Sequence, residues 1–188
     1  MYVIHPVLLF SAVTEPQPYR EPLERVLRDC ELWLEAQGIY ALLASVKCLY
    51  GHAIDTDQEN PWYQVREHIA QQGYPSDHLV LVFLAGWDDP QWAGWGGPPL
   101  AVVGDWALRA LASIGSPDAI IDDRLAGNLC LHEIGHALGL PHRFDVPCDI
   151  MSYDWCGYNS LLTDRPAADV ALVPTIIPAA CAWGRWIA

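Results

Sequence analysis

The chain has 188 residues, of which 52% are hydrophobic and 18% charged, so it is long enough to bury a sizeable core as one domain. Its formal net charge of −13 argues against nucleic acid and anionic membranes as partners, because both are polyanions, and permits a preference for cationic substrates. No apolar run is long enough to span a bilayer. The composition is typical of a compact globular enzyme, which we expect to be a monomer.

The first segment, MYVIHPVLLFSAV, is apolar and predicts a strand rather than a signal peptide. It lacks a basic stretch and a small-residue cleavage site, and His5 and Pro6 interrupt it. We therefore expect a cytoplasmic protein as the sequence is written, or an extracellular one if Met1 begins a trimmed form.

Beyond this segment, helical and extended apolar patterns alternate, which predicts an α/β domain. Prolines and glycines mark the ends of the predicted elements. These elements are a helix from Pro22 to Gln37, a strand from Tyr40 to Tyr50, a short helix opening at Asn60 and Pro61 and ending before Gly73, and a buried strand from His78 to Ala85.

Residues 86–99, GWDDPQWAGWGGPP, show no periodicity and predict a loop. Trp92 and Trp95 either anchor this loop on its own domain, which is the commoner role, or line the rim of a cleft. Asp88 and Asp89 offer two carboxylates to a structural calcium ion, but without the repeat of oxygen ligands that calcium loops contain.

Two short strands are predicted next, Leu100–Val103 and Trp106–Leu111, separated at Gly104 and Asp105. A helix follows, capped by Asp118 or Asp122 and running through Leu138. Its apolar positions face the sheet, while its histidines face the other way.

This helix carries the residues that point to chemistry. His132 and His136 stand four apart, so a helix places both imidazoles on one face, and Glu133 lies on the adjacent edge. Gly139 ends the helix, because glycine adopts the left-handed conformation without steric cost, and His142 then returns as a third ligand. Three neutral imidazoles with an open fourth position are typical of catalytic zinc.

The complete pattern, HExxHxxGxxH followed by Met151, resembles the signature of the metzincin zinc endopeptidases. Met151 follows His142 by nine positions, a short connection similar to that of the matrixins. Tyr153, two residues later, is instead similar to the metal-reaching tyrosine of astacins and serralysins.

The resemblance implies a single catalytic domain, with residues 1–139 forming the sheet and the helix of the site and residues 140–188 a smaller C-terminal part. It implies a twisted mixed sheet of about five strands, packed on a backing helix and the helix of the site. The strand beside the cleft is then an antiparallel edge strand, and the resemblance puts Leu100–Val103 there. It also implies one catalytic Zn²⁺ held by His132, His136 and His142, above Met151 in a tight turn.

For function, the resemblance implies hydrolysis of peptide bonds in extended polypeptides. Glu133 would act as general base towards water, and Tyr153 would stabilise the oxyanion. Two alternatives remain open: an amidase acting on a peptidoglycan or modified-peptide substrate, and a zinc-binding module with little activity. Glu133 counts against the module, which has no need of a base.

Six cysteines fit either disulfides outside the cell or free thiols inside it. Cys148 and Cys156 bracket the methionine and could be bridged, whereas free buried thiols are the simpler interpretation for Cys30 and Cys130. Archaemetzincins carry a cysteine directly after the third histidine, where this chain has Arg143. We therefore expect no second, cysteine-bound zinc.

Overall fold

A computed structural model of the chain describes residues 1–10, 17–36, 38–50, 54–55, 61–87, 93–105, 123–142 and 149–152. Within these ranges the chain forms strands and helices that alternate as predicted. The strands are β1 (Tyr2–Phe10), β2 (Ala41–Leu43), β3 (Lys47–Tyr50), β4 (Leu79–Ala85), β5 (Gly94–Gly97) and β6 (Leu100–Val103). The helices are α1 (Gln17–Ala36), α2 (Trp62–Ala70) and α3 (Asp123–Ala137).

The six strands form one sheet in the order β2–β1–β4–β6–β5, and β3 also pairs with β1. All of these pairings are parallel except the antiparallel pair of β5 and β6. The predicted α/β class, with a mixed sheet and an antiparallel edge strand, is thereby confirmed.

The predicted strand 40–50 is present but interrupted, and Pro6 explains where. Proline cannot donate to a ladder and is therefore rare in an interior strand such as β1. β2 and β3 pair with the same edge of β1, one after the other. The pairing with β2 ends at Ile4 opposite Leu43, and the pairing with β3 begins at Val7 opposite Lys47, so neither strand pairs with β1 at Pro6. The missing N–H thus falls where no ladder hydrogen bond is formed.

The sheet is covered on both faces. Helices α1 and α3 pack on the face that carries Leu8, Phe10 and Phe83, and α2 packs on the face that carries Val7 and Val82. The central strand β4 is buried almost throughout, as a continuous apolar run between two helical layers requires. Across the α1–α3 contact lie two of the chain's cysteines, Cys30 and Cys130, both buried and free as predicted.

Helix α1 begins earlier than predicted, at Gln17 instead of Pro22. Pro18 occupies its second position, where an N–H has no intrahelical partner, so this proline opens the helix rather than preventing it. None of the helices in the described ranges is both long enough and apolar enough to cross a membrane.

The prediction that Leu100–Val103 is the edge strand is wrong. Leu100–Val103 forms β6, which lies inside the sheet between β4 and β5 and is buried at every residue. The antiparallel edge strand is β5, Gly94–Gly97, within the stretch predicted to be a loop. Glycine has low strand propensity, so a GWGG segment gives no strand signal, whereas a buried apolar run is typical of an interior strand.

Phe83 lies in the middle of β4 with 0% of its surface exposed, so truncation to alanine leaves a cavity between the sheet and the helices. We expect Phe83→Ala to lower the free energy of unfolding by about 3–5 kcal/mol, measured by urea denaturation. Tyr63→Ala, at a residue that is 69% exposed, is the control and should change it by less than about 0.5 kcal/mol. Equal losses in the two variants would contradict the assigned core.

Candidate metal centre

Helix α3 brings the first two predicted ligands to one surface. His132 and His136 are one helical turn apart, with ring centroids 4.7 Å apart. The opposite side of the helix, including Ile134 and Leu138, is buried in the core as predicted. Burial of this apolar side fixes the rotation of the helix, so the histidines must face away from the sheet's core.

Gly139 ends the helix and turns the chain back, with φ at 86°. The N–H of Gly139 donates to the carbonyl of His136 at 2.9 Å, and the N–H of Leu140 donates to the carbonyl of Gly135 at 2.9 Å. This pair of bonds is the Schellman motif, which requires a left-handed residue at this position. The turn places His142 beside the two helical histidines.

The three histidines converge through their Nε2 atoms. Nε2 of His136 lies 3.2 Å from Nε2 of His132 and 3.0 Å from Nε2 of His142. Among the described residues these three form the group that could hold a metal ion, with ligand atoms within 4.8 Å of one another. In a tetrahedral zinc site with ordinary zinc–nitrogen bonds, ligand nitrogens stand about 3.3 Å apart.

Backbone carbonyls determine which nitrogen of each helical histidine carries the proton. Nδ1 of His132 lies 2.7 Å from the carbonyl oxygen of Ile150, and Nδ1 of His136 lies 2.9 Å from that of Leu140. A carbonyl only accepts, so both Nδ1 atoms donate and both Nε2 atoms carry lone pairs in the neutral rings. Two lone pairs facing each other at 3.2 Å cannot form a hydrogen bond, and this arrangement suits a cation that both nitrogens could bind.

The Ile150 carbonyl is held by a tight turn of residues 149–152. The N–H of Ser152 donates to the carbonyl of Asp149 at 2.9 Å, and the N–H of Met151 donates to Oδ1 of Asp149 at 2.7 Å. Met151 is fully buried against α3 at Gly135, where an added Cβ would collide with its sulfur. The methionine therefore packs against the helix of the site.

Glu133 lies between this group and the edge of the sheet. Its side chain is only 4% exposed and packs under β5. Its Oε2 has no hydrogen-bond partner among the described residues. Burial raises the pKa of Glu133 to about 8. The carboxyl group is therefore poised to exchange a proton near neutral pH.

Burial has the opposite effect on the histidines. Desolvation lowers the pKa of His132 to about 4, opposed by its bond to the Ile150 carbonyl and reinforced by His136 and His142. The pKa values of His136 and His142 are also lowered, in each case mainly by burial. The imidazoles are thus held neutral, which is the form that binds a metal. Nitrogen spacing, tautomers and neutrality all fit a zinc ion.

Several predicted features lie outside the described residues. These are Tyr153, Asp88 and Asp89, Trp92, Arg143, the cysteines Cys148 and Cys156, and the strand Trp106–Leu111. Trp95 is described, and it packs on Trp62 of α2 with ring centroids 3.3 Å apart, on the far side of the sheet from Glu133. This agrees with the prediction that it anchors its own domain.

The sequence analysis did not identify two features of the site: the backbone carbonyls that contact the histidines, and the glycines that lie against Glu133. The carbonyls of Ile150 and Leu140 orient the histidines, and Gly94 and Gly96 of β5 lie against Glu133. Any residue provides a carbonyl, so the first pair leaves no signal in the sequence. The alternation of glycines around Trp95 was the available signal for the second.

Comparison with known proteins places the fold. No family model matches the chain, and no curated protein matches it. Among solved structures, the chain is similar to archaemetzincin from Methanopyrus kandleri, at 17% identity and a TM-score of 0.54 over 94% of this chain and 96% of that one. A zinc-dependent peptidase from Methanocorpusculum labreanum gives 16% identity and a TM-score of 0.53 over 90% and 99%.

Metalloproteinase-II from Bacteroides fragilis gives 12% identity and a TM-score of 0.58 over 94% of this chain but 53% of that one. At these identities the likeness shows the fold alone. The chain therefore shares the mixed α/β fold of these solved structures.

We expect the protein to retain one zinc ion per chain after dialysis, measured by elemental mass spectrometry. At zinc concentrations about 100 times Kd, binding should raise the free energy of unfolding by about 2.7 kcal/mol, and a chelator should reverse this. His136→Ala should lose the metal, because it removes the ring that lies close to both others. His78→Ala, at a histidine paired with His5 outside the group, should retain it. Equal zinc loss in both variants would exclude the triad as the site.

Proposed function

We propose that the chain is a zinc-dependent endopeptidase of the metzincin type, with His132, His136 and His142 as the ligands of one catalytic Zn²⁺ and Glu133 as the general base. The observation that carries the proposal is the convergence of three histidine Nε2 atoms beside a buried carboxyl group. The likeness of the fold to those of zinc-dependent peptidases supports it.

The ion would supply Lewis acidity, which lowers the pKa of water and polarises a substrate carbonyl. Glu133 takes the proton from the attacking water and later delivers it to the leaving amine. Its raised pKa suits both steps, since proton transfer is most efficient when the pKa lies near the working pH. In this proposal Tyr153 donates a hydrogen bond to the oxyanion, and Met151 supports the imidazoles from below.

The substrate would lie along β5. Strands β5 and β6 pair with Gly94 opposite Val103, and the N–H of Gly104 donates to the carbonyl of Ala93 at 2.9 Å. Bonding groups alternate in an antiparallel pair, so Ala93, Trp95 and Gly97 bond towards β6. The backbone groups of Gly94 and Gly96 therefore point to the free edge, where no described strand pairs with them. An extended peptide would hydrogen-bond there.

In this proposal residues 1–139 supply the sheet, the base and two ligands, and residues 140–188 supply the third ligand and the methionine turn. The substrate in this proposal is a polypeptide bound in extended form. The pocket on the leaving side of the scissile bond is built from α3 and residues after Met151.

The proposal is tested by digesting a library of unmodified peptides with the zinc-loaded protein, with and without a chelator, and identifying the products by mass spectrometry. Internal cuts that vanish with the chelator and return with zinc are expected. If the protein retains zinc yet leaves every peptide intact, the proposed endopeptidase activity is wrong, and amides in modified peptides or peptidoglycan become the substrates to test.

Glu133→Gln keeps the size of the side chain but removes the base. We expect kcat/KM on a cleaved peptide to fall by about 10²- to 10⁴-fold, with zinc content unchanged, because the ligands are untouched. Steady-state kinetics and metal analysis of the same preparation measure both. A Gln variant that cleaves at the wild-type rate would show that another group accepts the proton.

A further inference from the structure

The face of β5 that lies on α3 has no side chains. Successive strand residues point to opposite faces, so Trp95 packs on Trp62 of α2 while Gly94 and Gly96 face α3. Their partners in β6, Val103 and Ala101, belong to the core on the α3 side of the sheet. The backbone of the edge strand thus rests directly on the helix that carries the histidines.

The space at Gly94 is filled by the side chain of Glu133. A Cβ at Gly94 would lie 2.6 Å from Oε1 of Glu133 and 2.8 Å from both its Cδ and its Cγ. All three are side-chain atoms beyond Cβ. An alanine here can be accommodated only if the carboxyl group moves.

The space at Gly96 is filled mainly by the helix itself. A Cβ there would lie 2.5 Å from Cβ of His136, 2.9 Å from the backbone oxygen of Glu133 and 2.9 Å from its Oε2. The first two atoms are rigid parts of α3. An alanine here must push the strand and the helix apart.

Backbone conformation does not require glycine at these positions. The described glycines with positive φ are Gly38, Gly73, Gly86 and Gly139, so β5 has φ values that alanine can adopt. Gly97 is a matched control in the same strand, since a Cβ there would meet only the ring of Trp95, at an ordinary contact distance of 3.6 Å. What distinguishes Gly94 and Gly96 from Gly97 is therefore the space taken by Glu133 and His136.

We propose that Gly94 and Gly96 are positioning residues for Glu133: because neither has a side chain, the edge strand lies close enough to hold the carboxyl group between itself and α3. Gly94 sets the position of the carboxyl group, and Gly96 sets the distance between β5 and the helix. The catalytic consequence rests on the proposed function of Glu133, whereas the contact itself does not.

The test compares Gly94→Ala, Gly96→Ala and Gly97→Ala in the zinc-loaded protein. Gly94→Ala is expected to lower kcat at least tenfold with KM and zinc affinity close to those of Gly97→Ala, because it displaces the base without moving a ligand. Gly97→Ala should behave as the wild type. Equal kcat for Gly94→Ala and Gly97→Ala would overturn the assignment of Gly94.

Two readouts need no substrate and therefore separate this proposal from the proposed function. Crystal structures of wild type and Gly94→Ala should show the Glu133 carboxyl group in different positions, and an unmoved carboxyl group would overturn the proposal even if no peptide is ever cleaved. Thermal unfolding in the Glu133→Ala background gives the second readout. There the atoms that a Cβ at Gly94 would meet are gone, so any Tm loss caused by Gly94→Ala should disappear.

Gly96→Ala should lower Tm in both backgrounds, because Glu133→Ala leaves the backbone oxygen of residue 133 and Cβ of His136 in place. A Tm loss at Gly96 that disappears with Glu133→Ala would contradict the distinct roles given to the two glycines. If Gly96→Ala fails to fold, Gly94→Ala and its structure still decide the proposal.

Discussion

Two backbone carbonyls determine the orientation of His132 and His136. The oxygens of Ile150 and Leu140 accept from Nδ1 of His132 and His136, at 2.7 Å and 2.9 Å, and thereby leave both Nε2 atoms with lone pairs directed at each other. Without these two acceptors either ring could turn or change tautomer, and the group would bind a metal weakly. The three rings are therefore arranged as a group that could hold a metal ion.

Burial acts on the histidines and on Glu133 through the same physical effect. Desolvation disfavours the charged form of each group, so it lowers the pKa of His132 to about 4 and raises the pKa of Glu133 to about 8. A divalent cation held by the histidines would favour the ionised form of the neighbouring carboxyl group. Desolvation and the cation thus act on Glu133 in opposite directions, which is how a carboxylate can be kept basic enough to accept a proton from water.

The second constraint is that other parts of the chain lie very close to α3. Glycines allow this on two sides of the helix. Gly135 admits the side chain of Met151, while Gly94 and Gly96 admit the side chain of Glu133 and the backbone of the helix. A glycine inside a helix or strand costs roughly 0.5–1 kcal/mol relative to alanine, so these positions are unfavourable locally. The packing they permit, with the turn of residues 149–152 on one side and the edge strand on the other, explains why glycine is suited to these positions.

The features that could be predicted from the sequence are those that depend on local periodicity. The four-residue spacing of His132 and His136, the left-handed end at Gly139 and the buried run of β4 follow from helix geometry, glycine sterics and hydrophobic patterning, and each is where it was predicted. The α/β class followed from the alternation of such segments.

Contacts between segments that are distant in the sequence could not be predicted in this way. The acceptor for His132 lies 18 residues away and is a carbonyl, which every residue possesses. The edge strand is the GWGG segment and not the apolar run at Leu100–Val103. A strand that lies directly against α3 requires residues without side chains on that face, and glycine meets this requirement despite its low strand propensity. Hydrophobic periodicity indicates the secondary structure of a single segment. The distance between two segments, in contrast, depends on the side chains of both and is set only when they pack together.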